Sequence, residues 1–272
     1  YNPDLDLGTP LVLQEGVELI NSSGGFVTFY INARIMDKYS EYARTLGEEW
    51  MLRTVEQVAV EEQYGPAETF VLCPSHPGWR EHLKQFALWM CKAYGARGIY
   101  YDQLGSATPY PCYSRHIHGP YSGSNEFNRN YVDLIENTLG AMQEIREDSF
   151  LMIENCGDIY SSRVWGSLAW NGPDYDEFFN LYKYTFPEHT MINMVNPRHL
   201  DNGELQEQFF YRDLARAFLL GSVWWFEGNN VRLRPRNKES QARIEKQLHE
   251  ALVVRNQATP YISNAIFNDD VG

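Results

Sequence analysis

The sequence has 272 residues, of which 43% are hydrophobic, so it can form one large domain with a substantial core. Its formal net charge of −13 argues against nucleic acid or an anionic membrane as a partner, and no apolar run approaches the roughly 18 residues of a membrane span. Aromatic residues make up 14% of the chain, which suits core packing and also the flat apolar faces of sugar rings.

The pattern of apolar residues predicts strands and helices that alternate along the chain. Thr9 and Pro10 predict a helix start, with Thr9 as the N-cap and Pro10 as the first helical residue. Strands are predicted at 26–31, 69–73, 98–101, 150–153, 178–186, 191–195 and 222–226. Further helices are predicted at 79–94, 125–147, 209–220 and 239–255. Residues 37–63 are predicted to be helical or irregular, with an acidic run that is typical of a solvated face.

Polar residues follow the carboxyl ends of the predicted strands, which is the pattern of an α/β protein of the (β/α)8 TIM barrel class. An open doubly wound sheet is the alternative, although the sequence has no G-x-G-x-x-G and no P-loop motif. The loop residues before Pro10 suggest that the first of eight strands lies upstream of Tyr1. We therefore interpret residues 1–272 as a single catalytic barrel domain, lacking or truncated at its first strand, within a longer multidomain protein.

Two predicted strands end on a carboxylate, Asp102 in one case and Glu154 in the other. A carboxylate beside a buried strand is costly unless it is hydrogen-bonded or used. Glycoside hydrolysis needs two carboxyl groups flanking one bond, one as nucleophile or base and one as proton donor, and a separation of about 5–5.5 Å predicts retention. Both residues also have structural alternatives, since Asp102 could cap its loop and Glu154 could pair with an arginine.

Other polar residues near the strand ends are candidates for contacting a substrate. They are Tyr30, Asn32, Arg34, Gln103, His116, His118, Asp158 and Glu227. Asp158 is the second choice for the acid, because it shares the loop of Glu154, and Glu188 is a third. For Glu227, a salt bridge with a loop arginine is as good an interpretation as a substrate contact. Trp79 and Trp170 are interpreted as core or rim residues rather than stacking platforms.

His116 and His118 stand two residues apart, so in an extended segment they point the same way and could bind a metal together with Asp102. No third histidine has suitable spacing, which favours substrate hydrogen bonding, and we predict no metal and no cofactor. The four cysteines form no C-x-x-C motif and no disulfide framework. Cys73, Cys112 and Cys156 each follow a predicted strand, however, which could bring some of them to one pocket.

Several motifs carry a resemblance to a known family. G-I-Y-Y-D-Q-L-G, C-Y-S-R-H-I-H-G-P and L-M-I-E-N-C-G-D resemble the glycoside-hydrolase-like barrels of an uncharacterised bacterial family, DUF6259, and more distantly the endo-α-N-acetylgalactosaminidase and α-amylase-type barrels. F-Y-I-N-A-R-I-M-D and L-C-P-S-H-P-G-W resemble its second and third barrel strands. The resemblance implies that Asp102, ending the fourth strand, is the nucleophile and that Glu154, ending the fifth, is the acid/base. The H-x-H of this loop departs from the commoner H-G-H-P.

These observations together predict a retaining glycosidase that acts on an α-linked glycan. Its expected partner is a carbohydrate, and degradation of glycans by bacteria fits a secreted or periplasmic location. One alternative is a metal-assisted hydrolase that uses His116, His118 and Asp102. Another is a barrel that binds carbohydrate without turnover.

Overall fold

A computed structural model of the protein describes residues 4–106, 108–116, 118, 121–155, 157–169, 176–195, 207–226, 238–262, 266 and 268. The chain divides into two compact units, Tyr1–Trp165 and Gly166–Gly272. Among the helices of the described ranges, none is long and apolar enough to cross a membrane.

The described part of the first unit mixes helices with two kinds of strand. Its helices are α1 (Pro10–Ser22), α2 (Glu48–Trp50), α3 (Pro77–Tyr94), α4 (Ser124–Ile145) and α5 (Asp158–Ser161), with a π-helical turn at Ala43–Gly47. Its strands are β1 (Thr28–Asn32), β2 (Ile35–Asp37), β3 (Glu61–Tyr64), β4 (Ala67–Val71), β5 (Gly98–Asp102) and β6 (Phe150–Glu154). The helix start is confirmed, since the Thr9 hydroxyl accepts a hydrogen bond from the Val12 amide at 3.3 Å.

Parallel strands form the centre of the first unit. β5 pairs with β1 from Thr28↔Gly98 to Asn32↔Asp102, and with β6 from Gly98↔Phe150 to Tyr101↔Ile153. Such central strands are covered on both faces and therefore read as continuous apolar runs. Ile99, Tyr101 and Ile153 are accordingly fully buried, in one core with side chains of α3 and α4. The sequence predictions for β1, β5 and β6 are confirmed to within two residues.

The prediction of a barrel strand at 69–73 is wrong, because β4 lies in a separate antiparallel sheet with the order β2-β4-β3. β3 and β4 form a hairpin whose turn contains Gly65 in the left-handed conformation, with φ of 58°. That turn reverses the chain within two residues, whereas a parallel crossover needs a dozen or more. Residues 37–63, predicted as helical or irregular, also supply the first three residues of β3 in this sheet.

The second unit contains three further parallel strands, β7 (Gly166–Ala169), β8 (Met191–Met194) and β9 (Val223–Trp225). β8 pairs with β7 and with β9. The described helices are α6 (Asp176–Thr185), α7 (Glu207–Leu219) and α8 (Lys238–Ile262). The strand predicted at 178–186 is wrong. Its aromatic residues follow helical spacing, and the rings of Tyr182 and Phe186, four residues apart, meet at 4.9 Å between centroids.

The protein is thus a mixed α/β structure in which helices alternate with parallel strands, as predicted. β7 was missed because four residues, Gly-Ser-Leu-Ala, carry little strand signal. The complete eight-stranded barrel and the single domain remain predictions.

Candidate active site

The two predicted catalytic carboxylates end neighbouring parallel strands. The register Tyr101↔Ile153 makes Asp102 and Glu154 the next residue on each strand. Paired strands lie about 4.8 Å apart, so the two side chains start from adjacent positions at the same edge of the sheet. The Glu154 side chain is buried and Asp102 is partly exposed.

The residue after each carboxylate adopts the left-handed conformation, Gln103 with φ of 58° and Asn155 with φ of 61°. This conformation is uncommon outside glycine and costs about 1–2 kcal/mol for most residues, although asparagine adopts it more readily. Strain of this kind is often concentrated at functional sites. In both positions it turns the backbone out of the strand directly after the carboxylate, so that each acid stands at the strand tip.

Glu154 is fixed by the loop that follows β5. Its Oε2 atom accepts the backbone N–H of Gln103 at 2.9 Å and the hydroxyl of Ser106 at 2.7 Å. Gly105 lies so close to the end of β6 that a Cβ there would clash with the carbonyl oxygen of Glu154. The residue adjacent to Asp102 therefore holds Glu154 through its main chain.

Asp102 is held by phenols and an amide. Tyr30 donates to its Oδ2 at 2.5 Å and Asn32 Nδ2 donates to the same atom at 3.1 Å, while Tyr100 lies 3.4 Å from Oδ1. Burial and the hydrogen bond to Asp102 raise the pKa of Tyr30 to about 12. Burial, together with the charges of Asp102 and Glu154, also raises the pKa of Tyr100. Both phenols therefore remain protonated donors at neutral pH.

Arg34 and Gln103, both predicted substrate contacts, belong to a network behind this site. The Arg34 side chain is 3% exposed and binds Glu62 Oε1 through Nη2 at 2.7 Å and through Nε at 2.8 Å. Glu62 accepts a hydrogen bond from Tyr64 at 2.9 Å, and Tyr64 is hydrogen-bonded to Gln103. Burial raises the pKa of Glu62, but Arg34 outweighs it and holds the pKa below its usual value. The sequence analysis assigned Glu62 to a solvated acidic run, so this half-buried partner of Arg34 was missed.

His116 and His118 lie with two cysteines. The donor atoms of Cys73, Cys112, His116 and His118 all lie within 4.8 Å of one another, and both thiols are free and buried. The hydrogen bond between the thiols raises the pKa of Cys73 and lowers that of Cys112. The metal alternative had combined the histidines with Asp102, and this set instead contains cysteines. A substrate contact by either histidine remains a prediction.

Three of the remaining candidates, Asp158, Glu188 and Trp79, lie among the described residues. Asp158 is exposed at the start of α5, and Glu188 is exposed in the second unit. Trp79 is 3% exposed within the core, which confirms its interpretation as a core residue. Glu227, Trp170 and Cys156 lie outside the described residues.

A cavity of about 710 Å³ opens at the amino-terminal ends of β1 and β6, lined in part by Phe26, Phe150 and Trp165. Asp102 and Glu154 do not line it. Barrel enzymes place their chemistry at the carboxyl ends of the strands, so this cavity is not the candidate site.

Comparison with known proteins gives a family and a fold. A family model described as "Domain of unknown function (DUF6259)" matches residues 11–177. A curated protein of Bacteroides thetaiotaomicron, named "Putative glycoside hydrolase", is 32% identical over 113 residues. The matched stretch covers 40% of this chain and 17% of that protein.

Solved glycosidase structures are similar in fold. A GH31 family sulfoquinovosidase from E. rectale has a TM-score of 0.70 at 13% identity, covering 96% of this chain and 40% of that one. Ligand-free alpha-N-acetylgalactosaminidase NagBb from Bifidobacterium bifidum has a TM-score of 0.61 at 13% identity, covering 92% and 38%. The alpha-galactosidase TtGalA from Thermus thermophilus has a TM-score of 0.58 at 14% identity, covering 87% and 52%. The chain therefore spans less than two thirds of each of these proteins.

Proposed function

The chain belongs to the DUF6259 family, and from that premise we propose that it is a retaining glycosidase with Asp102 as nucleophile and Glu154 as acid/base. The observation that carries the proposal is the pair of adjacent parallel strands that end, in register, on these two carboxylates. The named activities of the curated relative and of the solved structures support the same class of reaction.

The spacing of the strands supports retention over inversion. Adjacent strands about 4.8 Å apart favour a carboxyl separation near the roughly 5–5.5 Å of retaining enzymes, whereas inverting enzymes need about 6.5–9.5 Å for an intervening water. Tyr30 and Asn32 both bind Oδ2 of Asp102, which holds the carboxylate in place. We assign the attack to Oδ1, which has only the 3.4 Å contact with Tyr100 among the hydrogen bonds given above.

The proposed reaction has two steps. Asp102 attacks the anomeric carbon while Glu154 donates its proton to the leaving oxygen, which breaks the glycosidic bond and forms a glycosyl ester on Asp102. Glu154 then removes a proton from water, which attacks the anomeric carbon and releases the Asp102 carboxylate. The anomeric configuration is inverted twice and is therefore retained.

An α-linked glycan is the proposed substrate, because similar folds carry alpha-galactosidase and alpha-N-acetylgalactosaminidase names. Tyr30, Asn32 and Gln103 lie within hydrogen-bond reach of Asp102 or of one another, and we assign them to the wall around the reacting sugar. Asp158 and Glu227 remain further proposed contacts.

The test compares the purified protein with Asp102→Ala and Glu154→Ala on a panel of aryl α- and β-glycosides. Asp102→Ala should abolish turnover. Azide should rescue Glu154→Ala and give a glycosyl azide of retained configuration, since azide needs no general base. Asp158→Ala and Glu188→Ala, the alternative acids, serve as matched controls and should not show azide rescue.

Three results would count against the assignment. Wild-type rates in both carboxylate variants would remove Asp102 and Glu154 from the mechanism. Azide rescue of Asp158→Ala or Glu188→Ala alone would move the acid to that residue. Tight glycan binding by a wild-type protein that cleaves nothing would favour a carbohydrate-binding barrel.

A further inference from the structure

Four side chains of the first unit that the proposed mechanism does not need form a compact cluster: Cys73, Cys112, His116 and His118. We propose that these four residues bind a structural zinc ion. The inference is independent of the glycosidase proposal, because it rests on other residues and is tested by metal content.

The donor set selects the metal. Two thiolates and two imidazoles are a Cys₂His₂ set, which is typical of tetrahedral structural zinc, whereas magnesium and calcium prefer oxygen ligands. The four donor atoms lie within 4.8 Å of one another. Tetrahedral zinc needs donors about 3.3–3.8 Å apart, so the widest of these separations would have to shorten by at most about 1.5 Å to complete the site.

His116 is oriented as metal-binding histidines are, and His118 has two buried ring nitrogens that can accept an ion. His116 Nε2 lies 3.1 Å from the carbonyl oxygen of Met51, a contact that orients the ring and leaves Nδ1 for an ion. Both ring nitrogens of His118 are buried and have no hydrogen-bond partner among the described residues. A buried unpaired polar group is normally costly, and a bond from one of these nitrogens to zinc would remove the cost of that nitrogen.

The cluster joins two segments that are distant in sequence. Cys73 follows β4, while the other three ligands lie in the loop between β5 and α4. That loop is already held by paired backbone hydrogen bonds of 2.8 Å between Cys112 and Ser122, and by the Ser114 hydroxyl on Met51. Zinc would add a cross-link between this loop and the end of β4.

A structural role follows from the number of ligands. Four protein donors fill a tetrahedral site and leave no position for water or substrate, which a catalytic zinc requires. The same loop supplies Ser106 to Glu154 and the carbonyl of Thr108 to Arg34. Loss of the ion is therefore expected to loosen contacts of the candidate active site without removing a reacting group.

An ion could reach the cluster from the surface. A cavity of about 520 Å³ lies beside the cluster, since His116 is part of its lining. Two glutamates and two arginines also line it: Glu48, Glu49, Arg53 and Arg115. A site with a suitable donor set and a route to solvent meets two of the checks applied to a proposed metal site.

The experiment measures the zinc content of the full chain, purified under reducing conditions without chelators, by inductively coupled plasma mass spectrometry. We expect one zinc per chain in the wild type and a loss of most of it in Cys73→Ser and His118→Asn. Cys91→Ser is the matched control, because Cys91 is also a free buried cysteine but lies outside the cluster. It should retain the metal.

Cobalt provides a readout that does not depend on the folding of a variant. Wild-type protein loaded with Co²⁺ should show a thiolate-to-cobalt charge-transfer band and the intense visible bands of a tetrahedral site. Reduced wild-type protein that takes up neither Zn²⁺ nor Co²⁺ would overturn the proposal. So would a Cys73–Cys112 disulfide in freshly purified metal-free protein, or bound zinc that survives Cys73→Ser.

Discussion

Replacement of Arg34 distinguishes a structural role from a substrate contact. Its side chain is 3% exposed, and its guanidinium binds Glu62 at 2.7 and 2.8 Å and the Thr108 carbonyl at 3.3 Å. Removing one partner of a buried ion pair costs about 3–5 kcal/mol. Glu62 is 21% exposed and keeps its hydrogen bond from Tyr64, so we expect Arg34→Met to lie near the lower limit, at about 3 kcal/mol.

The opposite truncation should cost more. In Glu62→Ala the guanidinium of Arg34 stays buried, and its remaining acceptor among the described residues is the Thr108 carbonyl. Arginine cannot be deprotonated in a protein, so the charge remains. We expect a loss of about 4–5 kcal/mol. The double variant should lose less than the sum of the two, because neither charge is then left alone.

Thermal unfolding and urea unfolding measure these losses. About 3 kcal/mol corresponds to a fall of about 6–12 °C in Tm for a chain of this size class. Arg129→Met is the matched control, since Arg129 is 66% exposed and pairs with Glu126 on a helix surface, where a salt bridge contributes at most about 1 kcal/mol. An Arg34→Met variant with unchanged Tm and a KM raised tenfold or more would refute the structural role and favour substrate binding.

The pH dependence of the same pair has a defined sign. Glu62 has a pKa below its ordinary value, mainly because Arg34 outweighs the effect of burial. A lowered carboxyl pKa gives stability that is complete above the unfolded pKa, about 4.3, and is lost as the pH falls through the folded value. The stability difference between wild type and Arg34→Met should therefore shrink below about pH 4. A constant difference down to pH 3 would contradict this account.

Two further predictions concern the candidate site itself. The pKa of Tyr30, about 12 in the wild type, should fall in Asp102→Asn but stay above about 10, because the charge of Asp102 is lost while the burial of Tyr30 remains. ¹³C NMR of tyrosine measures this pKa, and Tyr30→Phe identifies the signal. An unchanged pKa would be inconsistent with the hydrogen bond between Tyr30 and Asp102. Gly105→Ala should cost about 1–3 kcal/mol and most of the activity, because its Cβ would displace the end of β6 at Glu154. Gly140→Ala, whose Cβ meets nothing within 4 Å, should be neutral or stabilising in the same unfolding assay.

The parts of the fold that were predicted correctly have local signals. Thr9 and Pro10 start α1, and the apolar runs before Asp102 and Glu154 form β5 and β6. The errors arose where tertiary context decides. Residues 69–73 look like a barrel strand, but the hairpin turn at Gly65 commits them to an antiparallel sheet. Residues 178–186 are rich in strand-forming aromatics, yet residues 176–185 form the helix α6.

In the candidate site, too, the features with a local signal were predicted and those that depend on tertiary contacts were not. Side chains within one strand or its following loop, such as Tyr30, Asn32 and Gln103, were predictable from their position after an apolar run. The ion pair of Arg34 with Glu62 was not, because it joins residues 28 positions apart, one between β1 and β2 and the other in β3. The grouping of Cys73 with Cys112 was only suggested by their positions after predicted strands. Spacing along the chain carries no signal for a cluster that is assembled from two distant segments.

The amide of Gln103 has a consequence for protein engineering. It follows directly on Asp102 and donates to Glu154, so one peptide unit ties the position of one acid to that of the other. The position of one carboxylate therefore cannot be changed without moving the other. Grafting the two carboxylates onto another scaffold would require the ends of β5 and β6 to be transferred together with residues 103–106. A single-residue deletion between Asp102 and Ser106 would misalign both acids at once.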